Sequence, residues 1–296
     1  MLSHNLTRLQ QLSSQLSFSA GRAFSTSEPK VLFHNHNPLV FEFKLNSPKT
    51  LNAVDSEMCR LMNSKLQEWH KNPSHAPRVA LMSGNGGKAF CAGGDIVSLY
   101  HGKRKGVEVG KLTEFFAEEY LLDYSLSQLE SIEQISVWNG IVMGGGVGLT
   151  WHSPIRIATD NSLFAMPETA IGFFTDVGGG YFLPRIKNGD FGLGLYLALT
   201  GQRVKGKDLV KYGLATHYIP QDKLVHLYED LAKFITKDSS KEDIEAIVCD
   251  NSETKAKIGA IPDHDEIKAI FKNDSIHAVI QRLESSHTDF ANQTKK

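Results

Sequence analysis

Short apolar runs with strand-like spacing occupy the first two thirds of the chain, and helical spacing takes over in the last third. Val31 and Phe33, then Val40, Phe41, Phe43 and Leu45, predict two strands, the second ended by Ser47-Pro48-Lys49. Asp55 stands where a cap is needed for a helix with Met58, Leu61, Met62, Leu66 and Trp69 on one face, stopped at Asn72-Pro73. Residues 79–82 predict a strand, followed by the turn Gly84-Asn85-Gly86-Gly87. The polar, charged segment 101–111 predicts a loop or lid, and helical spacing returns over 112–129. Strands are expected at 135–138, 155–158 and 215–219, and helices with polar joints from Asp222 onward. Alternating strands and helices give an α/β class with a helical C-terminal region.

The first 27 residues follow a different rule. They contain no acidic residue, carry Arg8 and Arg22 as their firm charges, and place Leu2, Leu6, Leu9, Leu12 and Leu16 at helical spacing among serines. That is the composition of an organellar transit peptide, and Arg22-Ala23-Phe24-Ser25 resembles a mitochondrial processing site. A disordered cytosolic tail would share part of this composition, whereas a secretory signal would need a compact apolar stretch. The expectation is a leader over 1–27 and one domain over 28–296.

Composition narrows the function classes. The chain is 41% hydrophobic and 22% charged, with a net charge of −1, which gives no footprint for nucleic acid. No apolar run is long enough to span a membrane. Cys59, Cys91 and Cys249 are far apart and match neither a disulfide framework nor a zinc spacing. His34 and His36 form an HxH far from any carboxylate cluster, a weak basis for a metal site, and no metal is expected.

Three segments carry candidate chemistry: Lys88-Ala89-Phe90-Cys91-Ala92-Gly93-Gly94-Asp95, the glycine cluster from Gly140 to Leu149, and Phe164 to Gly172 with Asp176-Val177-Gly178-Gly179-Gly180 behind it. Two glycine-rich strand-to-helix turns leave backbone N–H groups unshielded, and converging on one point they would form an oxyanion hole. Either turn alone reads equally well as tight packing. A dinucleotide fingerprint fails, because a GxGxxG begun at Gly144 would place Leu149 at its last glycine. Glu168 and Asp176 flank an apolar stretch where a carboxylate gains basicity, though each also admits a helix-capping role. Cys91 lacks a histidine partner in sequence, and His217 reads as structural.

Together, in this order and spacing, the three segments resemble the crotonase superfamily. Ala165-Met166-Pro167-Glu168-Thr169-Ala170-Ile171-Gly172, the Asp176 glycine run, Thr200-Gly201 and Gly213-Leu214-Ala215-Thr216-His217 are similar to its 3-hydroxyisobutyryl-CoA hydrolase branch. The likeness runs from about Pro29 onward. It implies a spiral core of ββα turns and an acyl-CoA substrate, with CoA as part of that substrate and no separate cofactor. By position it implies Gly94 and Gly145 as oxyanion donors, Glu168 as nucleophile or base, and Asp176 as the group positioning the water or the substrate hydroxyl. It also implies Glu119 in the substrate pocket, a residue that otherwise reads as part of a solvated helix face.

Enoyl-CoA hydratases resemble the same pattern but carry a second glutamate, which would fall at Gly148. Hydration needs two acid–base groups, whereas expulsion of a thiolate needs one carboxylate. The leading expectation is hydrolysis of 3-hydroxyisobutyryl-CoA in the mitochondrial matrix, in valine breakdown. Hydratase or isomerase activity is the first alternative, and a non-catalytic subunit of a mitochondrial assembly the second. The branch usually continues into further C-terminal helices, so the resemblance implies a shortened C-terminus and leaves room for a homo-oligomer.

Overall fold

The structure is a computed structural model and describes residues 28–253, 259–272 and 274–295. The expected leader over 1–27 and its processing site lie outside the described residues.

The two N-terminal runs form a hairpin, β1 (Val31–Asn37) and β2 (Val40–Leu45). Helix α1 (Ser56–Lys71) starts where Asp55 Oδ1 accepts the Met58 N–H at 3.0 Å, and it ends at Asn72 before Pro73. Its buried face is Met58, Met62, Leu66 and Trp69, and the Trp69 ring meets Phe41 and Phe43 edge-on at 5.0 and 5.4 Å. Next come β3 (Val79–Gly84), β4 (Ala89–Cys91), α2 (Ile96–Arg104) and α3 (Val109–Ser127). The middle of the chain supplies β5 (Glu133–Trp138), β6 (Ile141–Met143), α4 (Gly145–Trp151), β7 (Ile155–Ala158) and β8 (Leu163–Ala165).

After a 3-10 turn at Glu168–Ile171 come α5 (Gly179–Phe182), α6 (Phe191–Thr200), β9 (Val204–Lys205), α7 (Asp208–Lys211) and β10 (His217–Tyr218). The C-terminal region is helical, as expected: α8 (Leu224–Phe234), α9 (Lys241–Asn251), α10 (His264–Ile270), α11 (Ile276–Ser285) and α12 (Asp289–Thr294).

A six-stranded sheet has the order β1-β2-β3-β5-β7-β10 and is parallel except for the first hairpin. A second sheet, β4-β6-β8-β9, is parallel until its last, antiparallel pair. Successive units alternate between the sheets. β3 and β4 lead to α2, β5 and β6 lead to α4, and β7 and β8 lead to the 3-10 turn, which is the expected spiral of ββα turns. Strand side chains alternate between faces. Val79, Leu81, Ile135 and Val137 pack under Leu227 and Leu231 of α8 and Ile244 of α9. Ala80 and Met82 face the other way, into the core with Phe43, Trp69 and Phe90.

The expected loop at 101–111 is corrected. Asp95 caps α2 by accepting the Ser98 N–H at 3.0 Å, so the charged residues up to Arg104 form the exposed end of a helix. Only residues 105–108 join α2 to α3, with Gly106 at a φ of +79° making the turn. The three-residue strands β4 and β6 lie inside the glycine motifs, too short to show a period of their own.

The cap of α1 gives a stability test. Asp55→Ala removes the acceptor and also the partner of Lys30, and should lower unfolding stability by about 1 kcal/mol. Asp55→Asn keeps the cap and should recover most of the loss. Urea midpoints of the two variants check this, and equal losses would contradict it.

Candidate active site

Each glycine motif ends a strand of the small sheet. β4 runs into Gly93 and Gly94, and β6 into Gly144 and Gly145 at the start of α4. The residue before each candidate donor has a left-handed backbone, with φ of +111° at Gly93 and +47° at Gly144. Only glycine takes such values without strain, and the turn it makes aims the following N–H out of the ladder. The two turns abut, since a Cβ on Gly145 would lie 3.2 Å from the Gly94 nitrogen. Among the described residues, neither N–H has an intramolecular acceptor. Two backbone donors without an acceptor thus lie side by side at Gly94 and Gly145.

The carboxyl groups come from two other elements. α3 carries Glu119 and, one turn on, Asp123, with exposures of 2% and 6%. Glu119 Oε1 fills the space a Gly145 Cβ would take, and it lies 3.6 Å from the corresponding point on Gly94. Glu119 is therefore buried against the two glycine turns and does not lie on a solvated helix face. The segment after β8 carries Glu168, 8% exposed, and half-buried Asp176. Glu168 Oε1 lies 2.8 Å from where a Cβ on Gly144 would be.

Neither Glu168 nor Asp176 caps a helix with its side chain, because α5 begins at Gly179 behind Gly178. Asp176 Oδ2 instead accepts the Tyr120 hydroxyl at 2.6 Å. Thr175 Oγ1 lies 3.5 Å from Glu168 Oε2 but closer, at 3.2 Å, to the Ala198 carbonyl oxygen, so its proton is better spent there. The Glu168 anion then rests mainly on its backbone hydrogen bond, with Thr175 adding little. Val177, between Asp176 and the glycines, has a φ of +43°, a strained value for a β-branched residue. That strain turns the chain so that Asp176 faces Tyr120 while Val177 packs on Gly148.

Burial sets the proton affinities. It pushes the Glu119 carboxyl up to about 8, with the charges of Asp176 and Glu168 adding to the rise. It pushes Glu168 up to about 7, where the Asp176 charge also raises it and the backbone and Thr175 pull it back. Asp123 is raised well above the usual carboxylate range, first by burial and then by Glu119 and Asp176. Asp176 is raised by burial and pulled back by Tyr120. At neutral pH the site therefore holds protons on some of its acids.

The structure separates the remaining sequence candidates from this site. Cys91 is fully buried with Sγ 3.6 Å from the Gly93 carbonyl oxygen, and burial pushes its thiol up to about 12, so it is no nucleophile at neutral pH. His36 pairs with Glu42 at 2.9 Å on the first hairpin. His217 lies at the far edge of the large sheet, 2.9 Å from Thr216 Oγ1 and 3.5 Å from Cys249 Sγ. Gly148 is closely walled, since a Cβ there would lie 2.6 Å from Val177 Cβ and 2.8 Å from Asp123 Oδ2. Asp123 escaped sequence reasoning. Its one signal was the i, i+4 spacing from Glu119 on an otherwise apolar helix face.

The raised carboxyls fix the sign of a pH effect on stability. Between the ordinary glutamate value of 4.5 and about 8, folded Glu119 keeps a proton that the unfolded chain has released. Glu168 behaves alike between 4.5 and about 7. Stability therefore falls as pH rises through this window. The melting temperature of Glu119→Gln should fall less steeply from pH 5 to 8 than that of the parent. Parallel melting curves for the two proteins would refute the burial argument.

Comparison with known proteins agrees with this geometry. The family described as enoyl-CoA hydratase/isomerase matches residues 40–296. The chain is 42% identical over 253 residues to a protein named 3-hydroxyisobutyryl-CoA hydrolase, mitochondrial, from Xenopus tropicalis, covering 83% of this chain and 63% of that one. It is 38% identical over 283 residues to the Dictyostelium discoideum protein of the same name, covering 93% and 72%. This chain thus spans 63% of the length of the Xenopus relative. A solved carnitinyl-CoA dehydratase from Mycobacterium thermoresistibile superposes with a TM-score of 0.75 at 30% identity, covering 90% of this chain and 74% of that one. Spiral, glycine turns and sequence likeness agree, and the chain belongs to the enoyl-CoA hydratase/isomerase family, the crotonase superfamily.

Proposed function

We propose that this protein hydrolyses the thioester of 3-hydroxyisobutyryl-CoA to the free hydroxy acid and CoA, in the mitochondrial matrix as a step of valine breakdown. The observation that carries this is the pairing of two free N–H donors with Glu168, while Gly148 supplies no second carboxylate from α4. The names of the relatives support the substrate and the compartment.

In this reading the thioester oxygen sits between the Gly94 and Gly145 N–H groups, which stabilise the charge that develops as the carbonyl becomes tetrahedral. Glu168 takes a proton from the attacking water or adds to the carbonyl carbon itself, and either route needs the ionised form. Its value of about 7 keeps a useful ionised fraction with greater basicity than an exposed glutamate. Asp176, held by Tyr120, positions the water beside it. Glu119 stays mostly protonated at neutral pH, so no full negative charge opposes the developing oxyanion. The leaving thiol has a pKa near ~8.5, so expulsion of the thiolate needs no strong acid.

Glu168→Gln should lower turnover of 3-hydroxyisobutyryl-CoA by roughly 10²-fold or more. The parent rate should rise with pH and level off above an inflection near 7, where Glu168 ionises. A thiol-release assay measures both, and a variant with the parent rate would refute the role. Gly145→Val should cost about 3 kcal/mol of transition-state stabilisation, since its side chain collides with Glu119 and shields the donor. Retention of the parent kcat/KM by that variant would remove Gly145 from the hole.

A further inference from the structure

Hydrolysis as described leaves one carboxyl at the site without a task. Asp123 follows Glu119 by one turn of α3, so the two project to the same side. It is 6% exposed, and among the described residues neither of its oxygens has a hydrogen-bond partner. A buried polar group left unpaired costs about 1–3 kcal/mol, and native structures leave few in that state. A partner from outside the chain would complete it.

Its place relative to α4 identifies that partner. Gly148 follows Gly145 by three residues, so they share a helix face about 4.5 Å apart along the axis. A Cβ at Gly148 would lie 2.8 Å from Asp123 Oδ2. The Asp123 carboxyl therefore stands where a side chain from position 148 would stand, but it arrives from α3. C3 of an acyl group lies two bonds from its carbonyl carbon, so an acyl chain that runs along α4 from a carbonyl oxygen held at Gly145 would bring C3 within reach of the carboxyl beside Gly148.

We propose that Asp123 is the specificity-determining residue for the acyl group, hydrogen-bonding the hydroxyl on C3 of a 3-hydroxyacyl thioester. The inference rests on the proposed orientation of the thioester at Gly94 and Gly145. Burial, and then the neighbouring charges of Glu119 and Asp176, raise the proton affinity of Asp123 and so favour its neutral form. A neutral carboxylic acid offers one donor and one acceptor, the complement of an alcohol. Asp176 already accepts the Tyr120 hydroxyl and is more exposed, so it meets this need less well. An acyl group lacking the hydroxyl leaves the Asp123 carboxyl buried and unpaired, which is how a site built around a substrate hydroxyl rejects the deoxy analogue.

The test uses two CoA analogues that cannot be hydrolysed but keep the carbonyl oxygen, ketones in which a methylene group replaces the thioester sulfur, one carrying the 3-hydroxyisobutyryl group and the other the isobutyryl group, with binding measured by calorimetry. The parent should bind the hydroxylated compound at least about tenfold more tightly, a typical worth for such a hydrogen bond. Asp123→Leu should bind the two alike, with a melting temperature no lower than the parent's, because an unpaired carboxyl has been removed. Asp123→Asn should keep part of the preference, and Asp123→Ala replaces the Leu variant if that variant does not fold. Equal binding of both compounds by the parent, or an undiminished preference in Asp123→Leu or Asp123→Ala, overturns the proposal. The hydrolase reading fails separately. A parent that prefers the hydroxylated ketone yet releases no thiol from any acyl-CoA leaves Asp123 in its role and removes hydrolysis.

Discussion

Glu119, Asp123, Glu168 and Asp176 share one low-dielectric space, and they cannot all be ionised together. Two like charges 4 Å apart at an effective dielectric of 20 repel by roughly 4 kcal/mol. Burial adds its own penalty for each anion. The site responds with raised proton affinities: Glu119 is pushed up to about 8 and Glu168 to about 7, and Asp123 and Asp176 are raised as well. Enclosure differs among them, since Glu119 and Asp123 are buried while Asp176 is half-buried and accepts the Tyr120 hydroxyl. In the proposed reaction this separates the two glutamates, since Glu168, at about 7, ionises more readily at neutral pH than Glu119, at about 8.

The same crowding explains the backbone around the carboxyls. Glu119 and Glu168 oxygens occupy the places that side chains at Gly145 and Gly144 would need, and Asp123 with Val177 does so at Gly148. The glycines therefore do more than allow a turn. They clear room for carboxyls from α3 and from the segment after β8 to come up against two free N–H groups. The positive φ of Val177 belongs to the same arrangement, because a relaxed backbone there would move Asp176 and the wall over Gly148 together. Local strain of this kind costs about 1–3 kcal/mol and persists only where surrounding packing holds it, here the buried Val177 side chain against α4.

Much of this was legible in sequence, and the failures have physical causes. The Asp55 cap, the α1 stripe and the strands of the large sheet followed from period and punctuation. β4 and β6 did not, because three residues carry no period. Segment 101–111 read as a lid because charge was taken for irregularity, whereas an exposed helix end tolerates charge as readily as a loop does. Glu119 and Glu168 stood out through family resemblance, since a lone glutamate on a helix or after a proline has a dull reading in every chain. Asp123 had no such support. Its significance lies in contact with Gly148, 25 positions along the chain and on a different helix, and no local pattern encodes that.

The route by which a carboxyl reaches position 148 bears on which reaction the scaffold runs. A glutamate carried on α4 itself would sit on a long side chain near a helix N-terminus, where free N–H groups favour its anion. It would then be available to exchange protons with the substrate. Asp123 arrives on a shorter stem from the middle of α3, walled by Val177 and Gly148 and facing other carboxyls, and each of these conditions favours its neutral form. A carboxyl whose neutral form is favoured makes a poorer base, but it can donate a hydrogen bond as well as accept one. Addition of water across a double bond asks for two groups that trade protons, whereas thioester cleavage asks for one, with the remaining acids free to hold the acyl group still. For the proposed reaction the position of Asp123 and the bare Gly148 point the same way: the second carboxyl lies against position 148, in surroundings that favour its neutral form over the anion that a general base needs.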